Sequence, residues 1–146
     1  MDHVQTADGR LRVWETYRRV TPDELYSYWT EPAKLKTWWP DEVTIDATVG
    51  GRYSFGFPQL EKILSGTFSE VVPGKRLAFS WRWQGEPGVP ERHVIVDFEP
   101  RRDDTLLTVT HGTYGGGEAE AHEREAHLEG WQHFLGRLEK LIRRRD

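Results

Sequence analysis

The stretch HEREAH, residues 122–127, packs two imidazoles, two carboxylates and a guanidinium into six positions. These side-chain types hold metals and move protons, so their spacing decides what they can do. A zinc pair on a helix needs histidines four apart, so that both face one ion. His122 and His127 are five apart and diverge by about 140° at 3.6 residues per turn. His133 returns to the side of His122, but three turns further on. The spacing therefore argues against a metal, and nothing else calls for a cofactor. Arg124 and His127 each stand four residues before an apolar position, Leu128 and Trp131, with Glu120 one turn earlier. They continue an apolar helix face as polar groups, either orienting a ligand at the polar end of a cavity or projecting past the sheet into water. His111 alternates with Leu107 and Val109, so it shares their side of a strand. It is an acid/base partner for His127 if the fold brings the two together.

Other chemistries find no support. The chain has no cysteine, which removes disulfides, thiolate zinc sites and thiol nucleophiles. HGTYGGGEAE, residues 111–120, has the glycines of a phosphate loop but no following Gly-Lys-Ser/Thr, and its acidic helix start would repel an anion. It reads as a hinge into the final helix. No nucleophile elbow of the hydrolase type occurs. A net charge of −4 without a basic stripe argues against nucleic acid as a partner. The N-terminal residues lack a secretory pattern and no apolar run is long enough to span a bilayer, so a cytoplasmic location without a membrane partner is expected. Fifteen of the twenty basic residues are arginine, a bias expected of a GC-rich bacterial genome.

The elements that must position these groups follow from period and punctuation. At 146 residues a single domain over the whole chain, 1–146, is expected, with a core of its own. Arg10 to Val20 is β-branched and aromatic and reads as an opening strand. In TPDELYSYW, Thr21 is an N-cap, Pro22 suits the first helical position and Glu24 completes a capping box. TEPAKLKTWW repeats the pattern, with Pro32 as the start and Pro40 as the stop of a second short helix. Alternating runs then follow: EVTIDATV, RYSFGF, KILSGTFSEVV, RLAFSWRW, RHVIVDFEP and TLLTVTHG, separated by Gly-Gly, Pro-Gly and the GEPGVP loop. This predicts an antiparallel meander of about six strands. From Glu118 to Arg143 the period becomes helical, with Leu128, Trp131, Leu135, Leu138 and Ile142 in one stripe. Strand, helix pair, meander and long terminal helix make an α+β fold in which the helix covers the concave face of a curved sheet. One straight helix cannot fill such a hollow, so a cavity opening beside the short helices is expected.

Five segments in order, TPDELYSYWTEPAKLKTWWP, VGGRYSF, GTFSEVVPGKRLAFSWRW, TLLTVTHG and GWQHFLGRLEKLI, resemble the SRPBCC superfamily, in the branch similar to the activator of the Hsp90 ATPase. The resemblance covers almost the whole chain. It implies the START-like, helix-grip fold seen in Bet v 1, with a hydrophobic pocket between sheet and long helix. It also implies a structural role for a histidine at the place of His111, and a tryptophan pair after the second short helix. One indole, of Trp38 or Trp39, is then expected to lock that helix to the sheet and the other to edge the cavity mouth.

The expected function is binding of a small hydrophobic or aromatic molecule, lipid- or polyketide-like, including sequestration of a natural product as self-resistance. Trp38, Trp39, Tyr53, Phe55, Phe57, Trp81, Trp83 and Trp131 are expected to line the pocket, and His111, Arg124 and His127 to orient the guest. No residue is assigned a catalytic role. Two rivals remain open, a module that contacts an Hsp90-type chaperone and a cofactor-independent cyclase or hydratase. A homodimer is an open assembly state.

Overall fold

Turn chemistry divides this chain, and each punctuation mark ends an element. The computed structural model describes residues 2–86, 88 and 90–145, so Pro87 and Val89 of the GEPGVP loop, and both terminal residues, lie outside the described residues. The strands are β1 (Asp2–Gln5), β2 (Leu11–Tyr17), β3 (Glu42–Ile45), β4 (Arg52–Phe57), β5 (Lys62–Val72), β6 (Arg76–Trp83), β7 (Arg92–Arg101) and β8 (Asp104–Gly112). The helices are α1 (Pro22–Thr30), α2 (Pro32–Leu35) and α3 (Glu118–Arg144), with a 3₁₀ turn at Pro58–Leu60 between β4 and β5.

All eight strands form one antiparallel sheet in the order β1-β2-β8-β7-β6-β5-β4-β3. β3 to β8 are a simple meander, but β2 pairs with β8 along its whole length, from Leu11 opposite His111 to Tyr17 opposite Thr105. The chain must therefore cross from one side of the sheet to the far edge between β2 and β3, and α1 and α2 make that crossing. Thr21 caps α1 by accepting from the backbone N–H of Glu24. The carboxylate of Glu24 pairs with Arg145 at the far end of the chain, where the sequence suggested a reciprocal capping box.

The sheet curves around α3 in the helix-grip arrangement. A bulge between Phe68 and Glu70 bends β5. Gly66 lets β5 close on β6, since a Cβ there would meet the carbonyl oxygen of Ser80 at 2.0 Å. The stripe of α3, Leu128, Trp131, Leu135, Leu138 and Ile142, is buried against the concave face. Tyr17 of β2 anchors the helix by donating to the Leu135 carbonyl at 3.0 Å.

Two segments differ from expectation. β1 adds a strand whose four residues are all exposed, so no apolar alternation announces it. β3 stops at Ile45 and leaves Val49 exposed. Asp46 turns the chain there, its side chain accepting from the Thr48 hydroxyl and its carbonyl from the Thr48 amide.

Candidate functional site

Most of the hollow beneath α3 is filled by the chain's own rings. Trp38 is fully buried and its indole donates to the Tyr28 carbonyl at 2.8 Å, tying the end of α2 to α1. Trp39, the next residue, turns toward the sheet and α3, with ring centroids 5.1 Å from Phe55, 6.1 Å from Trp81 and 5.3 Å from Trp131. Trp29 of α1 stacks on Trp131 at 6.1 Å. Beneath them Tyr53, Phe55, Phe68 and Phe79 leave a void of only about 10 Å³, which is at the limit for one water. The expected opening beside the short helices is thus closed. The reason is volume: Trp29, Trp38 and Trp39 fill the mouth that α1 and α2 would otherwise leave.

Space remains nearer the N-terminal half of α3. A pocket of about 160 Å³ has Trp39, Trp81 and Trp131 as its floor and Phe57, Trp83 and Phe134 as its walls. Leu60 of the 3₁₀ turn, Ala126 and Gly130 form its rim. Leu60 is 60% exposed. His127 is the one ionisable side chain among the described residues that line this pocket. Wider clefts of about 390 Å³ lie on the outer face of the sheet, edged by charged groups such as Arg10 and Glu91, or Arg12, Asp97 and Glu99. They lack the apolar enclosure that holds a small organic molecule.

Behind the pocket runs a buried polar chain. His127 Nδ1 lies 2.6 Å from the Tyr114 hydroxyl, and the His127 ring stacks on His111 at 4.4 Å and 10°. The indole N–H of Trp131 donates to His111 Nδ1 at 2.9 Å. Arg92, 4% exposed, lies 4.5 Å over the Tyr114 ring. It donates to both carboxylates of α3's first turns, Glu120 at 2.6 Å and Glu123 at 2.8 Å, and to the Thr113 carbonyl. The Glu123 carboxylate, 3.8 Å from His127 Nε2, favours the imidazole proton on that nitrogen, which leaves Nδ1 to accept from the Tyr114 O–H.

The charges follow from these contacts. Burial works against the cation of Arg92, yet its hydrogen bonds to Glu120 and Glu123 outweigh that and raise its pKa. The Arg92 hydrogen bond, helped by the Gly115 amide, holds Glu120 down to about 2. Burial lowers His127 to about 4, against the opposing pull of Glu123. Burial also drives His111 well below the ordinary histidine value, with His127 and Arg92 adding to the effect. Both imidazoles are therefore neutral near pH 7.

Acid should weaken the fold through these two imidazoles. An unfolded histidine takes up its proton near pH 6.5, whereas folded His127 resists until about pH 4. Its contribution is complete above pH 6.5 and declines as pH falls toward 4. Between pH 7 and pH 5 it amounts to a loss of about 2 kcal/mol from His127 alone, with His111 acting in the same direction. Urea unfolding at the two pH values measures this, and His127→Phe should flatten the dependence.

The residues singled out in sequence separate into groups. Trp39, Phe57, Trp81, Trp83, His127 and Trp131 line the pocket, whereas Trp38, Tyr53 and Phe55 belong to the filled core. His111 lies behind His127. Arg124 is half-buried and does not line the pocket; Arg92 is the arginine beneath it. Arg92 carried a readable signal, a cation in register with Val94, Val96 and Phe98 on the inward face of β7. Tyr114 carried none, lying in a glycine-rich loop. That loop is also less of a hinge than expected, since the Tyr114 amide donates to the Gly9 carbonyl and the Gly115 amide to Glu120. Among the described residues no group of three or more His, Asp or Glu is placed to hold a metal, and no helix is long and apolar enough to cross a membrane.

Known proteins share this architecture. The human activator of 90 kDa heat shock protein ATPase homolog 1 is 25% identical over 131 residues, covering 90% of this chain and 36% of its own length. The chain thus spans about a third of the length of the curated relatives it matches. The crystal structure of DynU16, from the dynemicin biosynthetic locus, superposes with a TM-score of 0.79 at 25% identity, covering 94% of this chain and 48% of that one. An HSP90 activator from Plasmodium falciparum shares the fold at a TM-score of 0.72 and 22% identity, over 91% of this chain and 95% of that one. The family model described as Activator of Hsp90 ATPase homolog 1-like protein matches residues 19–143, which take in the short helices, β3 to β8 and all of α3 but its last residue. On that match, the chain belongs to the Activator of Hsp90 ATPase homolog 1-like family.

Proposed function

We propose that the protein binds a small, largely apolar aromatic molecule between the sheet and the N-terminal half of α3. The observation that carries this reading is the 160 Å³ pocket walled by six aromatic side chains, with a single imidazole at its inner end. Its volume sets the guest. A dry apolar cavity of about 150 Å³ holds one benzene ring, and drug-sized ligands occupy about 300–1,000 Å³. A one-ring compound fits the pocket as it stands. A lipid or a fused polyketide enters only if rim and wall side chains, Leu60, Trp83 and Phe134, swing outward. The likeness to a protein of the dynemicin biosynthetic locus agrees with a natural-product guest of the larger kind.

Gly130 supplies the test. A Cβ at this position meets nothing within 4 Å, and the residue lies on the rim. Gly130→Leu should therefore fill the pocket, and relief of the helical glycine cost, about 1 kcal/mol, leaves the fold at least as stable. Wild-type protein is expected to show a saturable change in tryptophan emission with ethylbenzene, and Gly130→Leu to show none. Equal responses in the two proteins would remove the pocket from the account.

A second reading, a module that contacts an Hsp90-type chaperone, draws on the family and on the activity carried in the human relative's name. Stimulation of a chaperone ATPase by this chain would support it, and stimulation that survives Gly130→Leu would separate it from guest binding.

A further inference from the structure

Around the inner end of the pocket, buried donors outnumber acceptors. The indole N–H of Trp131 is spent on His111 Nδ1, so the proton of neutral His111 sits on Nε2. That N–H is buried and has no acceptor among the described residues. Trp81, in the pocket floor, also keeps a buried indole N–H without an acceptor among the described residues. His127 Nε2–H faces Glu123 at 3.8 Å, too far for a hydrogen bond. A buried donor left unpaired is a standing cost that an arriving acceptor removes.

A charged guest would fare worse. Arg92 is committed to Glu120 and Glu123, and Lys62, which lies over the Trp83 ring, pairs with Glu86. The Glu123 carboxylate stands beside His127, and burial keeps that imidazole neutral at pH 7. An anion entering here would lose its water and meet no free cation among the residues lining the pocket.

Resting on the pocket as the binding site, we infer that the guest is a neutral aryl carbonyl compound. Its ring stacks among Trp39, Trp81 and Trp131, and its carbonyl oxygen accepts from His127 Nε2–H, with the Trp81 indole N–H as the next donor. His127 is then a specificity-determining residue. Tyr114 acts through it: the Glu123 carboxylate favours the proton on Nε2, and the phenol, donating to Nδ1, holds the ring in that orientation.

Three compounds of one shape test this: acetophenone, α-methylstyrene, in which a methylene replaces the carbonyl oxygen, and benzoate. Wild-type protein is expected to bind acetophenone at least threefold more tightly than α-methylstyrene, and benzoate most weakly. In His127→Phe the order of the first two should reverse, because the alkene is the more hydrophobic. In wild type the indole N–H resonance of Trp81 should move further downfield with acetophenone than with α-methylstyrene, because only the ketone adds a hydrogen bond to the ring-current shift that both produce. Equal binding of ketone and alkene to wild type would overturn the inference and leave the pocket standing. Benzoate binding best would overturn it in favour of ionic recognition. Failure of all three to bind would overturn both the inference and the pocket reading.

Discussion

Trp38→Ala should destabilise the protein by about 3–5 kcal/mol, the range for emptying a fully buried aromatic site. The indole is wholly enclosed, lies 4.9 Å from Trp29 and 5.4 Å from Trp39, and holds α1 and α2 together through the Tyr28 carbonyl. Removing it opens a void at the one place where the short helices cross the sheet. Trp38→Phe should cost less, retaining most of the volume but leaving the Tyr28 carbonyl without its donor, at about 1–2 kcal/mol for that loss. Urea denaturation at pH 7 reads both. A Trp38→Ala protein within 1 kcal/mol of wild type would mean that this indole does not hold the crossing.

Arg92→Met should cost about 3 kcal/mol, the low end for breaking a buried ion pair. The low end applies because the Glu120 and Glu123 side chains are about a quarter exposed, so water recovers part of their solvation, whereas the Arg92 side chain is buried. The substitution also takes the cation off the Tyr114 ring and the donor from the Thr113 carbonyl. Adding Glu120→Gln and Glu123→Gln to Arg92→Met should recover much of the loss, since the remaining penalty is two carboxylates without a cation. No recovery in the triple variant would assign the cost to packing of the arginine stem.

The parts of this architecture legible in sequence are those that a period encodes. The 3.6-residue stripe from Leu128 to Ile142 and the alternation in β4 and β6 each place side chains on a face without further information. For the tryptophan pair it was the family resemblance that implied two different roles; the rings stack on each other at 5.4 Å, with Trp38 tied to the Tyr28 carbonyl of α1 and Trp39 lining the pocket. What periodicity does not carry is volume. Nothing in the spacing of Trp29, Tyr53 and Phe55 says that their rings close the hollow at one end, because that depends on how far a bulged β5 curves the sheet. β1 escaped for the opposite reason, having no buried face to mark it. The polar chain was half legible. His111 and His127 each continue an apolar face, and the fold stacks them; Arg92 does the same on β7 but stands in a charged neighbourhood, Pro-Glu-Arg-His, that reads as surface.

The pocket can be tested through the seven tryptophans, which the fold divides into two sets. Trp39, Trp81, Trp83 and Trp131 line it, whereas Trp14, Trp29 and Trp38 do not. Titration of ¹⁵N-labelled protein with acetophenone, followed by the indole N–H resonances, should move the first four saturably and with one dissociation constant, and leave the other three close to their starting positions. Shifts confined to Trp14 on the outer face, or no saturable shift in any of the pocket four, would contradict the account.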